Sequence, residues 1–208
     1  MGIYASRVDS ILNSIGKYIL FLDPDDLYLN PYLFESLYKL NKESNLDITE
    51  FLLYYSNENE NEFYIPNHHS RHHNHNFTKN VIVQPELSNI LFYKPNSFTL
   101  TNVYCRNIWN KMVKRNILIN TINFIGIENY HQLYFNFAED TIMNIINFQF
   151  ASNYTNIMVY GYLYNKRNES ASYTETKRKE KKLIINYNII LYYIIFNILN
   201  ILRKIRNI

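Results

Sequence analysis

The stretch GKYILFLDPDDLYLNP, residues 16–31, decides how the rest of the chain is read. Apolar residues from Tyr18 to Leu22 run straight into Asp23, Asp25 and Asp26, with Pro24 between the first two acids. A short apolar run ended by a turn predicts a central parallel strand, buried on both faces. Three carboxylates at its end repel one another, so their cost must be offset by hydrogen-bond donors or by something they bind. In open α/β sheets ligands bind beyond the carboxyl ends of the strands, which is where these acids fall. Hard oxygen donors at alternate positions suit Mg²⁺ or Mn²⁺, above all when the metal also holds substrate phosphates. A helix N-cap with solvated turn acids is the alternative.

Outward from this stretch, residues 4–15 are expected to form a short helix. Asn30 and Pro31 should cap and open a second helix over 30–43, with Leu33, Leu37 and Leu40 at helical spacing. DITEFLLYY (47–55) reads as a second strand, and strand, helix, strand is the βαβ pattern of an α/β sheet. Residues 56–80 are polar and low in complexity, as in an exposed loop or insertion. A helical turn near 86–93 and a strand near 99–104 come next, and RNIWNKMVKR (106–115) is expected to be helical. AEDTIMNIINFQFA (138–151) is a clearer helix, with Glu139 and Asp140 in the first turn, where the macrodipole favours anions. TNIMVYGYLY (155–164) reads as a strand.

The tail, 183–208, is apolar around most of a helical circumference, with Asn186, Tyr193, Asn197, Asn200 and Lys204 along one stripe. It is long enough to cross a membrane, but its asparagines favour a packed or membrane-surface helix. Basic runs at 177–182 and 203–206 flank it.

A chain of 208 residues with 47% apolar composition can bury one ordinary core, and a net charge of +3 is too small to point to nucleic acid. The single cysteine, Cys105, excludes an internal disulfide framework and fits a reducing compartment, as a structural thiol. Asparagine, isoleucine and tyrosine are frequent while glycine and alanine are scarce, a codon-bias pattern that discounts the sequons at Asn76, Asn153 and Asn168. The first ten residues carry no signal-peptide apolar region, although Met-Gly with Ser6 matches a myristoylation pattern superficially. His68, His69, His72, His73 and His75 could hold Zn²⁺ or Ni²⁺, but without cysteines and in a low-complexity stretch they are expected to bind metal adventitiously. The location in the cell is not specified.

Three families present an acid stretch of this kind. A calcium EF-hand loop fails, because counted from Asp23 its twelfth position is Phe34 and its glycine position is Tyr28. A haloacid-dehalogenase-type phosphatase usually continues with Gly and Thr, where this chain has Asp26 and Leu27. YASRVDSILNSIGKYILFLDPDDLYLNP more closely resembles the segment of family 2 glycosyltransferases that ends in their Asp-x-Asp motif. The resemblance resumes at NIWNKMVKRNIL (107–118), similar to a Trp-Asn-Lys segment, and at FAEDTIMN (137–144), similar to a Glu-Asp helix start. It ends at YLYNKRNESAS (162–172), similar to a Tyr-containing strand with a basic, serine-rich loop, and so covers roughly residues 2–175.

The resemblance implies a GT-A (Rossmann-like) α/β domain over 1–176, with a basic linker and hydrophobic helix over 177–208. It implies metal-dependent, inverting transfer of a sugar from a nucleotide-sugar donor to a hydroxyl of a glycan, lipid or protein acceptor. Asp23 and Asp25 would flank the ribose and diphosphate, Asp25 being the more direct ligand of Mn²⁺ or Mg²⁺ and Asp26 standing behind. Arg7 would belong to the nucleotide-sugar site, and Lys166 and Arg167 would close over the diphosphate. Asp140 would be the general base, with Glu139 adjusting it by like-charge repulsion. Trp109 would be an acceptor-sugar platform or a core residue. The processive Gln-x-x-Arg-Trp signature is absent, which favours a single transfer. Val8 and Ser10 depart from the family pattern beside Arg7, and the family's first βαβα units, with the base-binding part of the site, are expected before Met1. Such a domain would be marginally stable, self-associating or membrane-attached, with little or no transferase activity by itself. A dehalogenase-type phosphatase using Asp23, and a catalytically silent binding or scaffold remnant, are the alternatives.

Overall fold

The computed structural model of the chain describes residues 2–57, 60–64, 81–83, 107–126 and 139–166, all within the unit Met1–Lys166. Helix α1 (Ile3–Asn13) leads to the short strand β1 (Tyr18–Ile19), and the acid turn leads to β2 (Leu27–Tyr28). Helix α2 (Leu33–Ser44) precedes the long strand β3 (Ile48–Asn57), followed by β4 (Glu60–Tyr64) and β5 (Ile82–Val83). Strand β6 (Lys111–Lys114) runs directly into helix α3 (Arg115–Ile125). Helix α4 (Glu139–Phe150) is followed by the last strand, β7 (Asn153–Lys166).

These strands form one mixed sheet in the order β1-β6-β3-β7-β2, with β4 on β3 and β5 on β7. β3 and β7 are parallel, from Ile48 opposite Tyr154 to Asn57 opposite Lys166. β6 is antiparallel to both β1 and β3, so β1 and β3 point the same way with β6 between them. Val8 and Ile11 of α1, Leu118 and Ile122 of α3 and Met143 and Phe148 of α4 are fully buried, which gives each helix one apolar face for the core. Helix α2 lies so close to β7 that a Cβ on Gly161 would come within 2.6 Å of Leu33 Cδ2 and 2.9 Å of Phe51 Cδ2. Glycine is required there by proximity, beside the register shifts between Phe51 and Leu53.

Several sequence-based expectations are corrected. Residues 17–23 are not a central parallel strand: only Tyr18 and Ile19 pair, antiparallel to β6, at the sheet edge among the described residues. Residues 106–115 are not a helix, since 111–114 form β6 and the helix starts only at Arg115. Lys111, Met112 and Val113 are all buried because β6 lies between two strands, so the alternation that marks a half-buried strand is missing. Pro31 is not the first helical residue; Asn30 accepts the Tyr32 N–H through Oδ1 at 2.9 Å in a turn, and α2 begins at Leu33. The stretch 56–80 is not loop throughout, because β4 pairs antiparallel with the end of β3. The expected elements near 86–93 and 99–104 and the tail 183–208 lie outside the described residues. No helix among the described residues is long and apolar enough to cross a membrane.

Candidate functional site

The acid stretch folds as a tight turn, in which the Asp26 N–H donates to the Asp23 carbonyl at 3.0 Å and Pro24 supplies a fixed φ. Strand β7 holds this turn. The Tyr162 hydroxyl accepts the Asp23 N–H at 3.2 Å and donates to Asp26 Oδ2 at 2.7 Å. The Asn165 N–H donates to Asp26 Oδ1 at 2.8 Å, and its side-chain amide donates to the Asp25 carbonyl at 3.0 Å. Asp26 is thereby buried with both carboxylate oxygens satisfied. Burial pushes its carboxyl up to about 6, against the pull of the Asn165 and Tyr162 donors, while Asp25 and Asp23 add like-charge repulsion. Burial also pushes the Tyr162 phenol up, which keeps it a proton donor.

Arg7, in the middle of α1, answers the remaining charge. Its Nη2 lies 3.1 Å from Asp23 Oδ1 and its Nη1 2.8 Å from Glu139 Oε1, and Nη1 also contacts Asp140 Oδ1. One guanidinium therefore faces three carboxylates, drawn from the acid turn and from the first turn of α4. The side chains of Arg7 and Glu139 are each only 9% exposed, whereas those of Asp140 and Asp23 are 17% and 31% exposed. Arg7 and Glu139 form the floor, and Asp23 and Asp140 are the acids that solvent reaches. Burial holds the Glu139 carboxyl above its ordinary range, with Arg7 opposing the shift and Asp23 reinforcing it.

The acids do not form an all-protein metal cage. Among the described residues no group of three or more His, Cys, Asp or Glu side chains is placed to hold a metal. Asp25 is part-exposed on the turn, and Asp23 is shared with Arg7. A hard ion held at these two acids would need further oxygen ligands from a bound molecule.

Trp109 is buried and stacks on Tyr162 (ring centroids 4.5 Å apart) and on Tyr164 (5.4 Å), so it backs the tyrosine that holds the acid turn. Asn110 and Lys111 build a second buried network. Lys111 Nζ lies 3.3 Å from Glu50 Oε2 and donates to the Asn107 carbonyl at 2.6 Å. Glu50 also accepts the Tyr154 hydroxyl at 3.0 Å and the Asn110 amide at 3.2 Å. Of the residues singled out from the sequence, Arg7, Asp23, Glu139 and Asp140 meet in one cluster, with Asp25 and Asp26 on the adjoining turn. Lys166 ends β7, while Arg167, Cys105 and the histidine cluster lie outside the described residues. Sequence reasoning missed Tyr162 and Asn165 as site residues; their only signal was the Tyr-Leu-Tyr-Asn run at the end of a strand.

No protein-family model and no curated protein matches the sequence. Among solved structures, the chain is similar to S. aureus TarS, a GT-A-type glycosyltransferase. Against TarS residues 1–349 the identity is 16% and the TM-score 0.50, covering 79% of this chain and 40% of that one. Against the same TarS fragment in complex with UDP-GlcNAc the identity is 16% and the TM-score 0.51, covering 83% and 42%. A longer TarS structure gives 15% identity and a TM-score of 0.50, over 81% of this chain and 25% of that one. The chain thus has the mixed α/β GT-A-type fold and spans less than half the length of these proteins. The likeness does not favour the phosphatase reading of Asp23.

Proposed function

We propose that the chain carries the acid-turn half of a glycosyltransferase site of the family 2 kind, which transfers a sugar from a nucleotide-sugar donor to an acceptor hydroxyl with inversion. The observation that carries this reading is the meeting of Asp23, Arg7, Glu139 and Asp140 on a GT-A-type fold. A uridine diphosphate sugar is the donor class to test first, because one of the similar TarS structures holds UDP-GlcNAc.

In this reading Asp25, with Asp23, would hold Mn²⁺ or Mg²⁺ together with the donor diphosphate. The ion, when bound, offsets the negative charge that gathers on the leaving diphosphate. Asp140, the more exposed acid at the start of α4, takes the proton from the acceptor hydroxyl as its oxygen bonds to the anomeric carbon and the bond to the diphosphate breaks. Arg7 holds Asp140 from below, and Glu139 adjusts it by like-charge repulsion. The acceptor is a hydroxyl of a glycan, lipid or protein, and residues 183–208 are the proposed contact with a membrane surface.

The test is turnover of UDP-GlcNAc by the full chain, compared with Asp140→Asn. The amide preserves size and should lower turnover by roughly 10²–10⁴-fold, the usual contribution of a general base, with little change in donor binding. Near-normal turnover in Asp140→Asn would move the base elsewhere, and absence of donor binding to the wild type would overturn the reading.

A further inference from the structure

The acid turn is held by β7 and not by its own helix. Two side chains of that strand reach its backbone, at the Asp23 N–H and at the Asp25 carbonyl. The Tyr162 hydroxyl receives the N–H of Asp23 and gives its proton to Asp26, so one atom ties together the first and last acids of the turn. The Asn165 amide donates to the carbonyl of Asp25, and its own Oδ1 accepts the Ser56 hydroxyl of the neighbouring strand. Trp109 stacks on the Tyr162 ring and leaves its hydroxyl aimed at the turn. The backbone groups so fixed belong to Asp23 and Asp25, the residues whose carboxylates would receive a ligand, and the Asp26 carboxylate is held behind them.

We propose that Tyr162 and Asn165 are positioning residues, which set the spacing of the Asp23 and Asp25 carboxylates for a diphosphate-bound divalent cation. This rests on the donor-site reading above. The two residues touch no reacting atom; they act through the turn. Tyr162→Phe removes one oxygen and keeps the ring on Trp109, and Asn165→Ala removes the amide while its backbone N–H still reaches Asp26.

The full chain is tested in two ways. Hydrogen–deuterium exchange without ligand should quicken about three- to tenfold over 23–28 in both variants, the worth of one lost hydrogen bond, and stay unchanged over α3. Mn²⁺ titrated with UDP should bind both variants about tenfold more weakly, with an electron paramagnetic resonance spectrum displaced toward that of Mn²⁺–UDP in solution. Ile122→Val, in the core face of α3, serves as a control that lowers the thermal midpoint without moving either readout. Wild-type exchange and a wild-type Mn²⁺–UDP spectrum in both variants would overturn the positioning role while leaving the donor site standing. Faster exchange in variants of a chain that does not bind Mn²⁺–UDP at all would overturn the donor reading, and would confine Tyr162 and Asn165 to holding the fold.

Discussion

Arg7 and Glu139 stand 132 residues apart in the chain and meet at 2.8 Å, with Asp23 and Asp140 on the same guanidinium. The contact joins α1 to the start of α4 and closes the floor of the site.

Removing that guanidinium leaves buried carboxylates without their counter-charge. Arg7→Gln is expected to destabilise the fold by about 3–5 kcal/mol, the cost of breaking a buried ion pair from one side. The loss should be larger at neutral pH than in acid, where Glu139 is protonated and no longer needs the partner. Urea unfolding at both pH values measures it; a loss under about 1 kcal/mol, the scale of an exposed pair, would contradict the arrangement.

Glu139 gives the stability profile a definite sign. Burial raises its folded carboxyl above the ordinary 4.5, so the folded chain keeps this proton to higher pH than the unfolded chain does. The stability it contributes is complete below the ordinary value and is lost as pH rises through the raised folded value. Against Glu139→Gln, which cannot titrate, the wild type should lose relative stability as pH rises over that window and then level off. A relative stability that climbs with pH would mean that Arg7 outweighs burial.

Gly161 reports how closely α2 approaches β7. Gly161→Ala puts a methyl within 2.6–2.9 Å of Leu33 and Phe51, both fully buried. An overpacking cost of about 1–3 kcal/mol is expected, read from the denaturation midpoint. A neutral or stabilising substitution would show that α2 stands further off.

What the sequence made legible divides along physical lines. The strands at 47–55 and 155–164 could be read from their continuous apolar and aromatic runs, and the helix from Glu139 from its acidic first turn followed by an apolar segment. The α/β class, the cluster of acids and the GT-A likeness followed from these and from the motif order. The strand at β1 was legible but not its antiparallel place beside β6, and Lys111, buried by an ion pair with distant Glu50, disguises β6, a strand between β1 and β3, as an amphipathic segment. For Arg7, the motif gave membership of the site, but its grip on Glu139 and Asp140 exists only once α1 and α4 are packed. Asp26 was read as standing behind Asp25; its partners, Tyr162 and Asn165, come from the far end of the chain and leave no local trace beside it.

The central claim is that the acid turn receives a diphosphate together with a divalent cation. It is tested most directly by calorimetric titration of the full chain with UDP in the presence of Mn²⁺, for the wild type and for Asp25→Ala. The expected result is measurable binding to the wild type that requires both UDP and Mn²⁺, weakened at least about tenfold in Asp25→Ala, as loss of a charge-assisted contact would do. Equal affinity in the two proteins would contradict the account.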